Sequence, residues 1–240
     1  MSIPDSMNVI PQTFGVEIAM LAVIHLSSRD QGVTQAKLAF DAGADGVFLI
    51  DHSRSWSAVA EAADAVFDAT GGWVGVNALD LTALESMSAF VNQRSVRGVW
   101  VDNAGTDERS DKQPFAEAVD VIRRNWDGVY LGGTAFKYQR AVTDLVAAGA
   151  VAAQHMDVVC TSGSGTGSAP DGDHVRQLAL GAGRVPVAVA SGVDVGNVAG
   201  LATAGARAFL VASSIAATFD TLDPQRTRAL VDAVHALNVT

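Results

Sequence analysis

Asp51 closes the apolar run 46–51, Asp102 closes 98–102, and His25 closes the run that begins at Ala19. Two carboxylates facing one cleft can act as acid and base when their surroundings separate their pKa values. With His25 or His52 they could instead hold a divalent cation, although no tight spacing such as His-x-x-x-His occurs. A plainer role competes for each. An aspartate after a strand caps the next turn or helix, and Ser53 and Ser55 cap equally well. A histidine ending an apolar run can be a core residue. Lys137 lies beyond Gly132-Gly133. It could hold an anion, form a Schiff base, or be a solvated lysine opening a helix. The candidate catalytic set is therefore Asp51, Asp102, His25 and Lys137, with His52, Asn77 and Asn103 orienting the reacting end of a ligand.

A second group of residues suits an anion. One run reads Thr161-Ser162-Gly163-Ser164-Gly165-Thr166-Gly167; shorter ones are Ser191-Gly192 and Ser213-Ser214. Glycines let the backbone approach a ligand, their N–H groups can converge on one charge, and hydroxyls add donors. The candidate binding residues here are Thr161, Ser162, Gly163, Gly165, Thr166, Gly167, Ser191, Gly192, Ser213 and Ser214. Small residues also simply permit tight turns, and no Gly-Lys-Ser/Thr of the nucleotide-triphosphate type is present.

What would position these groups is a recurring unit: a short apolar run, a polar or glycine cluster, then an Ala-rich amphipathic stretch. Apolar runs fall at 19–25, 46–51, 73–79, 98–102, 128–132, 157–161, 185–190 and 208–212. Helical stretches fall at 33–42, 57–69, 82–92, 115–125, 139–148, 171–180, 195–204 and 224–237. Short, continuously apolar strands suit a parallel sheet buried on both faces. Eight units in 240 residues is 30 per unit, which predicts a single-domain α/β fold, the (β/α)₈ barrel, ahead of an open doubly wound sheet. Helix stops are expected at Gly43, Gly149, Gly181 and Gly205. Residues 1–17 precede the first strand as a short extension, a lid over the barrel bottom or an oligomer contact. In such barrels active sites lie at the carboxyl ends of the strands, with phosphate on the last loops. The polar residues gather at those ends, and the opposite ends read as bland. His155 lies at the wrong end and reads as structural, His174 and His235 as solvated helix residues, Cys160 as buried and inert. The four tryptophans read as core, with Trp56 able to line a pocket.

Composition narrows the classes. With 49% hydrophobic residues the chain is too apolar for disorder. One cysteine excludes a disulfide scaffold and fits a reducing, cytoplasmic setting. The apolar run 18–26 is too short to span a membrane. A net charge of −10 without a basic stripe argues against nucleic acid. A homo-oligomer is left open.

At these strand ends the sequence resembles the BtpA-like family of barrels, named for a photosystem I biogenesis factor. The resemblance is carried by His25-Leu26, Gly75-Val76-Asn77, Thr161-Ser162-Gly163 through Gly167 with Asp171, Gly192-Val193 with Asn197-Val198, and Ser213-Ser214. The chain departs from the family in its short segment Ser27-Ser28-Arg29-Asp30, in Asp51-His52, and in Ala216 where a lysine often stands. The resemblance implies the (β/α)₈ fold. The leading expectation is an enzyme on a small phosphorylated or ribosylated metabolite, by glycosidic cleavage, isomerisation or lysis. No cofactor is expected, with a divalent metal as an open alternative. The competing expectations are a non-catalytic assembly or biogenesis factor and a ligand-binding sensor on the same barrel.

Overall fold

The computed structural model describes residues 8–238. Eight parallel strands close into a barrel in sequence order: β1 Ala19–His25, β2 Gly46–Ile50, β3 Val74–Asn77, β4 Gly98–Val101, β5 Val129–Gly133, β6 Val158–Thr161, β7 Val187–Ala190 and β8 Ala206–Val211. Around them run α2 Arg29–Asp41, α3 Trp56–Thr70, α4 Ala83–Phe90, α5 Pro114–Arg123, α6 Leu145–Ala152, α7 Gly172–Ala182, α8 Val198–Thr203 and α9 Pro224–Ala236. A further helix, α1 Val9–Phe14, precedes the barrel, and a hairpin, β9 Ala216–Thr218 with β10 Thr221–Leu222, separates β8 from α9. Among the described residues no helix is long and apolar enough to cross a membrane.

Successive side chains of a strand point to opposite faces, and the core divides accordingly. Leu21, Val23, Phe48, Ile50, Trp100, Leu131, Cys160, Ala188, Ala190 and Leu210 fill the barrel interior. Met20, Ile24, Val47, Leu49, Val76, Val99, Val159 and Phe209 pack outward under the helices. Size alternates across the interior. A side chain on Gly75 would strike the Phe48 ring at 2.3 Å, and one on Gly98 the Trp73 ring at 2.3 Å. The glycines make room for the aromatics.

Side-chain caps start the helices where the sequence places Ser, Thr or Asp before a helical stretch. Ser28, Ser55, Asp144, Asp171 and Asp223 accept from the first-turn N–H groups, and Thr82 forms a reciprocal box with Glu85. Pro224 occupies the first turn of α9.

The described part of the extension packs against the barrel interior. Ile10 is buried in the barrel-interior core and Phe14 packs edge-on against Trp73, ring centroids 5.0 Å apart. Residues 1–7 of that extension lie outside the described residues.

Four expectations fail. Gly43 and Gly205 end helices with positive φ, but Gly149 and Gly181 lie inside α6 and α7. A Cβ on Gly149 would meet the Leu178 carbonyl oxygen at 2.3 Å, and one on Gly181 the Val146 carbonyl oxygen at 1.9 Å. These glycines allow close backbone approach of two helices, and α7 ends at Gly183 instead. The helix expected from 139 begins at Leu145, because Tyr138 has φ 63° and the Gln139 amide bonds the carbonyls of Asp102 (2.7 Å) and Gly133 (3.2 Å). Nor is the amino end of the barrel bland. Arg123 pairs with Asp157 (2.5 Å) and Asp120 (3.2 Å), and His155 with Asp120 (2.7 Å). His235 meets Asp45 at 3.1 Å, so it is not merely solvated.

Candidate functional site at the carboxyl end of the barrel

At the carboxyl ends of the strands a cleft of about 330 Å³ opens above the interior core. Val23, Ile50, Trp100, Ala190 and Leu210 form its apolar floor. His25, Asn77 and Asp102 carry the inward parity of their strands one step above that floor and line its polar level. The Asn77 side-chain amide donates to Asp102 Oδ1 at 3.0 Å. Burial pushes the Asp102 carboxyl above its ordinary pKa, opposed by that bond and by the charges of Lys137 and His52. His25 is pulled down to about 4 by burial, then by His52 and Lys137, so its imidazole is neutral at pH 7. His25 and His52 lie ring to ring, centroids 4.7 Å apart.

Lys137 reaches the cleft from the loop after β5, not from a helix start. Its N–H donates to Ser162 Oγ at 2.8 Å. Ala135 (φ 48°) and Tyr138 (φ 63°) flank it in the left-handed region, a costly conformation for residues with a Cβ that the surrounding bonds hold in place.

The far wall comes from the loops after β6, β7 and β8: Thr166, Gly167, Ser191, Gly192, Ser213 and Ser214. Ser191 (φ 110°) and Gly192 (φ 66°) turn the β7 loop sharply, and Ser191 Oγ accepts from Gly167 N–H at 3.2 Å. Any Cβ on Gly192 would meet Ala169 N at 2.1 Å, so only glycine fits there. Ser214 Oγ donates to the Val193 carbonyl (2.6 Å) and the Asn197 amide to the Gly192 carbonyl (2.7 Å), fastening the β7 and β8 loops. The N–H groups of Gly192, Ser213 and Ser214 have no acceptor among the described residues. They and Lys137 are the cleft's means of holding an anion.

Several expected residues lie elsewhere. Asp51 comes one position after inward-facing Ile50 and so faces away from the cleft. Its carboxylate accepts from Ser53 N–H (2.8 Å) and Ser53 Oγ (2.6 Å), the turn-capping role. Asn103 turns out and caps Gly105 N–H at 2.9 Å. Thr161 also faces outward: its hydroxyl donates to the Ala135 carbonyl (3.1 Å) and meets His174 Nε2 at 2.9 Å. His174 is accordingly half-buried and not solvated. Ser162 anchors the Lys137 loop, Gly163 packs against Ser168 and Ala169, and Gly165 stands open. Trp56 packs on Phe90, ring centroids 6.3 Å apart, away from the cleft. Among the described residues no three His, Cys, Asp or Glu side chains converge on a metal-sized site, so a cation shared by Asp51 and Asp102 has no geometry here.

Sequence reasoning missed four contributors. Trp100 was readable, since it shares the parity of Asp102. Asp194 lines the cleft but caps Gly196 N–H (2.7 Å) and Asn197 N–H (3.0 Å). Gln139 has no local signal, because its partners lie on β4 and β5. Phe219 depends on a hairpin that no turn motif announces.

The geometry agrees with the likeness to solved structures. The fold superposes on GGGPS from Thermoplasma volcanium with TM-score 0.68 and 14% identity, covering 97% of this chain and 98% of that one. A 3-hexulose-6-phosphate synthase gives 0.65 at 17%, covering 90% and 100%. Phosphoribosyl anthranilate isomerase from Thermus thermophilus gives 0.64 at 15%, covering 92% and 100%. At these identities the likeness is one of fold. No curated protein matches the chain in sequence. The model of the BtpA family matches residues 118–236, the part that carries the β6, β7 and β8 loops, and this match and the closed eight-stranded parallel barrel together fit a BtpA-like (β/α)₈ barrel.

Proposed function

We propose that the protein is an enzyme acting on a small phosphorylated metabolite. The phosphate would lie on the N–H groups of Gly192, Ser213 and Ser214, with Thr166 and Gly167 beside them. The reacting end would face Asp102, His25, His52 and Lys137. The observation that carries this reading is a half-buried carboxylate, held by Asn77, in one cleft with a lysine and a set of unpartnered N–H groups. Solved neighbours of the same fold include a hexulose-6-phosphate synthase and a geranylgeranylglyceryl phosphate synthase in complex with sn-glycerol-1-phosphate.

Asp102 acts as the acid–base group. A carboxyl raised by burial is a better base near neutrality than an ordinary one. Taking a proton from a carbon next to a carbonyl leaves negative charge on oxygen, and the Lys137 ammonium is placed to stabilise it. Neutral His25 can pass a proton to or from that oxygen. This chemistry serves isomerisation or carbon–carbon lysis. Glycosidic cleavage by the pair Asp51 and Asp102 loses its second carboxylate, since Asp51 faces away.

Thermal unfolding with inorganic phosphate and with ribose 5-phosphate tests the reading. Both should raise the midpoint, and Lys137→Ala should reduce the rise. If no phosphorylated compound shifts the midpoint, the anion site is wrong and the non-catalytic assembly role takes precedence.

A further inference from the structure

Phe219, at the tip of the β9–β10 hairpin, is 65% exposed at the edge of the cleft. A loose loop could turn such a ring away from water, but this tip is tied down. The Gln31 amide donates to the carbonyls of Asp220 and His25. The hydroxyls of Thr218 and Thr221 donate to the Asp220 carboxylate (3.0 and 3.3 Å). Leu222 N–H donates to Gln35 (2.7 Å), and Arg226 donates to the Ala216 carbonyl (2.7 Å). The ring thus held stands edge-to-face to His25 (centroids 4.4 Å) and His52 (5.1 Å). Three flat rings gather at one side of the mouth.

Beneath the hairpin a second, mostly apolar cavity of about 350 Å³ shares His25, Thr166 and Ser213 with the cleft. The polar supply on this side suits a ring better than a polyhydroxylated chain, for the Asn77 amide is already bonded to Asp102. Charge sets a further limit. One cationic chain, Lys137, enters the cleft against the carboxylates of Asp102 and Asp194, which favours one phosphate group over a di- or triphosphate.

Resting on the phosphate reading above, we infer that the cleft's ligand is a phosphomonoester bearing a flat aromatic ring, the chemistry of a nucleoside monophosphate, and that Phe219 is the ring-stacking residue that selects it. Stacking of a base on an aromatic side chain is commonly worth a factor of about ten or more in affinity.

Calorimetric titration of the full chain with adenosine, guanosine, cytidine and uridine 5′-monophosphates, ribose 5-phosphate and inorganic phosphate tests this. At least one nucleotide should bind about tenfold tighter than ribose 5-phosphate. Phe219→Ala should abolish the difference while leaving ribose 5-phosphate binding unchanged, and Phe219→Tyr should keep it. The side chain is exposed, so neither variant should alter the unfolding midpoint of the free protein. If ribose 5-phosphate binds as tightly as every nucleotide, or Phe219→Ala leaves the preference intact, the inference is overturned while the phosphate site stands. If Phe219→Ala changes self-association in sedimentation and not ligand preference, the ring is a contact between copies and the inference is likewise overturned. If no phosphate compound binds, both readings fall.

Discussion

The two ends of the barrel are both polar, but they handle charge differently. At the amino end Arg123 lies between Asp120 and Asp157, His155 meets Asp120, and Asp157 also accepts from Tyr130 N–H at 2.8 Å. Asp45 likewise accepts from Met20 N–H at 2.7 Å while facing His235. Each carboxylate there ties a strand to a helix or to its neighbour. At the carboxyl end Asp102 keeps one oxygen for a single bond from Asn77, and Lys137 has no ion pair among the described residues. A list of polar residues does not separate these ends. What separates them is whether the charge is already answered. Answered charge builds the molecule; unanswered charge, at a cost in desolvation, is what a ligand can use.

Breaking that contrast gives measurable outcomes, the largest at Asp102. Asp102→Asn should lower turnover of the phosphomonoester identified by binding by roughly 10²–10⁴-fold, with stability at pH 7 unchanged or higher. The sign follows from burial. A carboxyl whose folded pKa lies above its unfolded value of 3.8 stabilises the fold only while protonated, and that contribution is lost as pH rises through the raised folded pKa. Denaturant titration at pH 7, alongside a turnover assay, checks both parts. The acid limb of the wild-type rate profile should also lie above the range of an ordinary carboxylate.

Arg123→Ala should do the reverse. It leaves Asp120 and Asp157 facing each other without their cation, at a cost of about 2–4 kcal/mol in urea unfolding, with ligand affinity unchanged. A loss of affinity there would show that the two ends are coupled.

Asp51→Asn is the sharper control, since Asp51 and Asp102 are the same residue type at equivalent strand ends. It should cost about 1 kcal/mol through a weakened turn and leave both affinity and turnover near wild type. Comparable losses from Asp51→Asn and Asp102→Asn would remove the distinction between inward and outward carboxylates.

The smallest effect is a slope. His25 falls from 6.5 to about 4 on folding, so the unfolded chain takes up a proton that the native state refuses. Its contribution to stability is complete above pH 6.5 and is lost as pH falls toward 4. His25→Gln should flatten stability against pH across that window relative to wild type.

All eight strands were legible in the sequence because each is a short apolar run bounded by turn residues, and each lies within two residues of its expected limits. The helix starts at Trp56, Ala83, Gly172 and Pro224, each behind a capping side chain, lie within one residue of their expected positions, whereas those at Arg29 and Leu145 lie four and six residues away although Ser28 and Asp144 cap them. Gly149 and Gly181 misled because a glycine that ends a helix and one that admits a neighbouring helix look alike in one dimension. The site was legible in part. His25, Asn77 and Asp102 follow from strand-end position, but Asp51 and Thr161 have the wrong parity. Counting in twos from Phe48 and Ile50, or from Val158 and Cys160, separates them once the structure shows those residues facing inward; because both faces of each strand are apolar, the sequence alone does not choose between the two sets. Gln139 and Phe219 could not be found that way, because their roles come from partners on other strands and loops.

The α1 plug has a kinetic consequence. With Ile10 and Phe14 seated under the interior core, the cleft is a pit with one mouth, and whatever enters past Phe219 and Lys137 must leave past them. On the proposed reading, substrate and product would compete for the same doorway and the same anion seat. A phosphorylated product that keeps its phosphate should then inhibit competitively, and the rate of its departure would set the ceiling on turnover whatever the speed of the proposed proton transfer below.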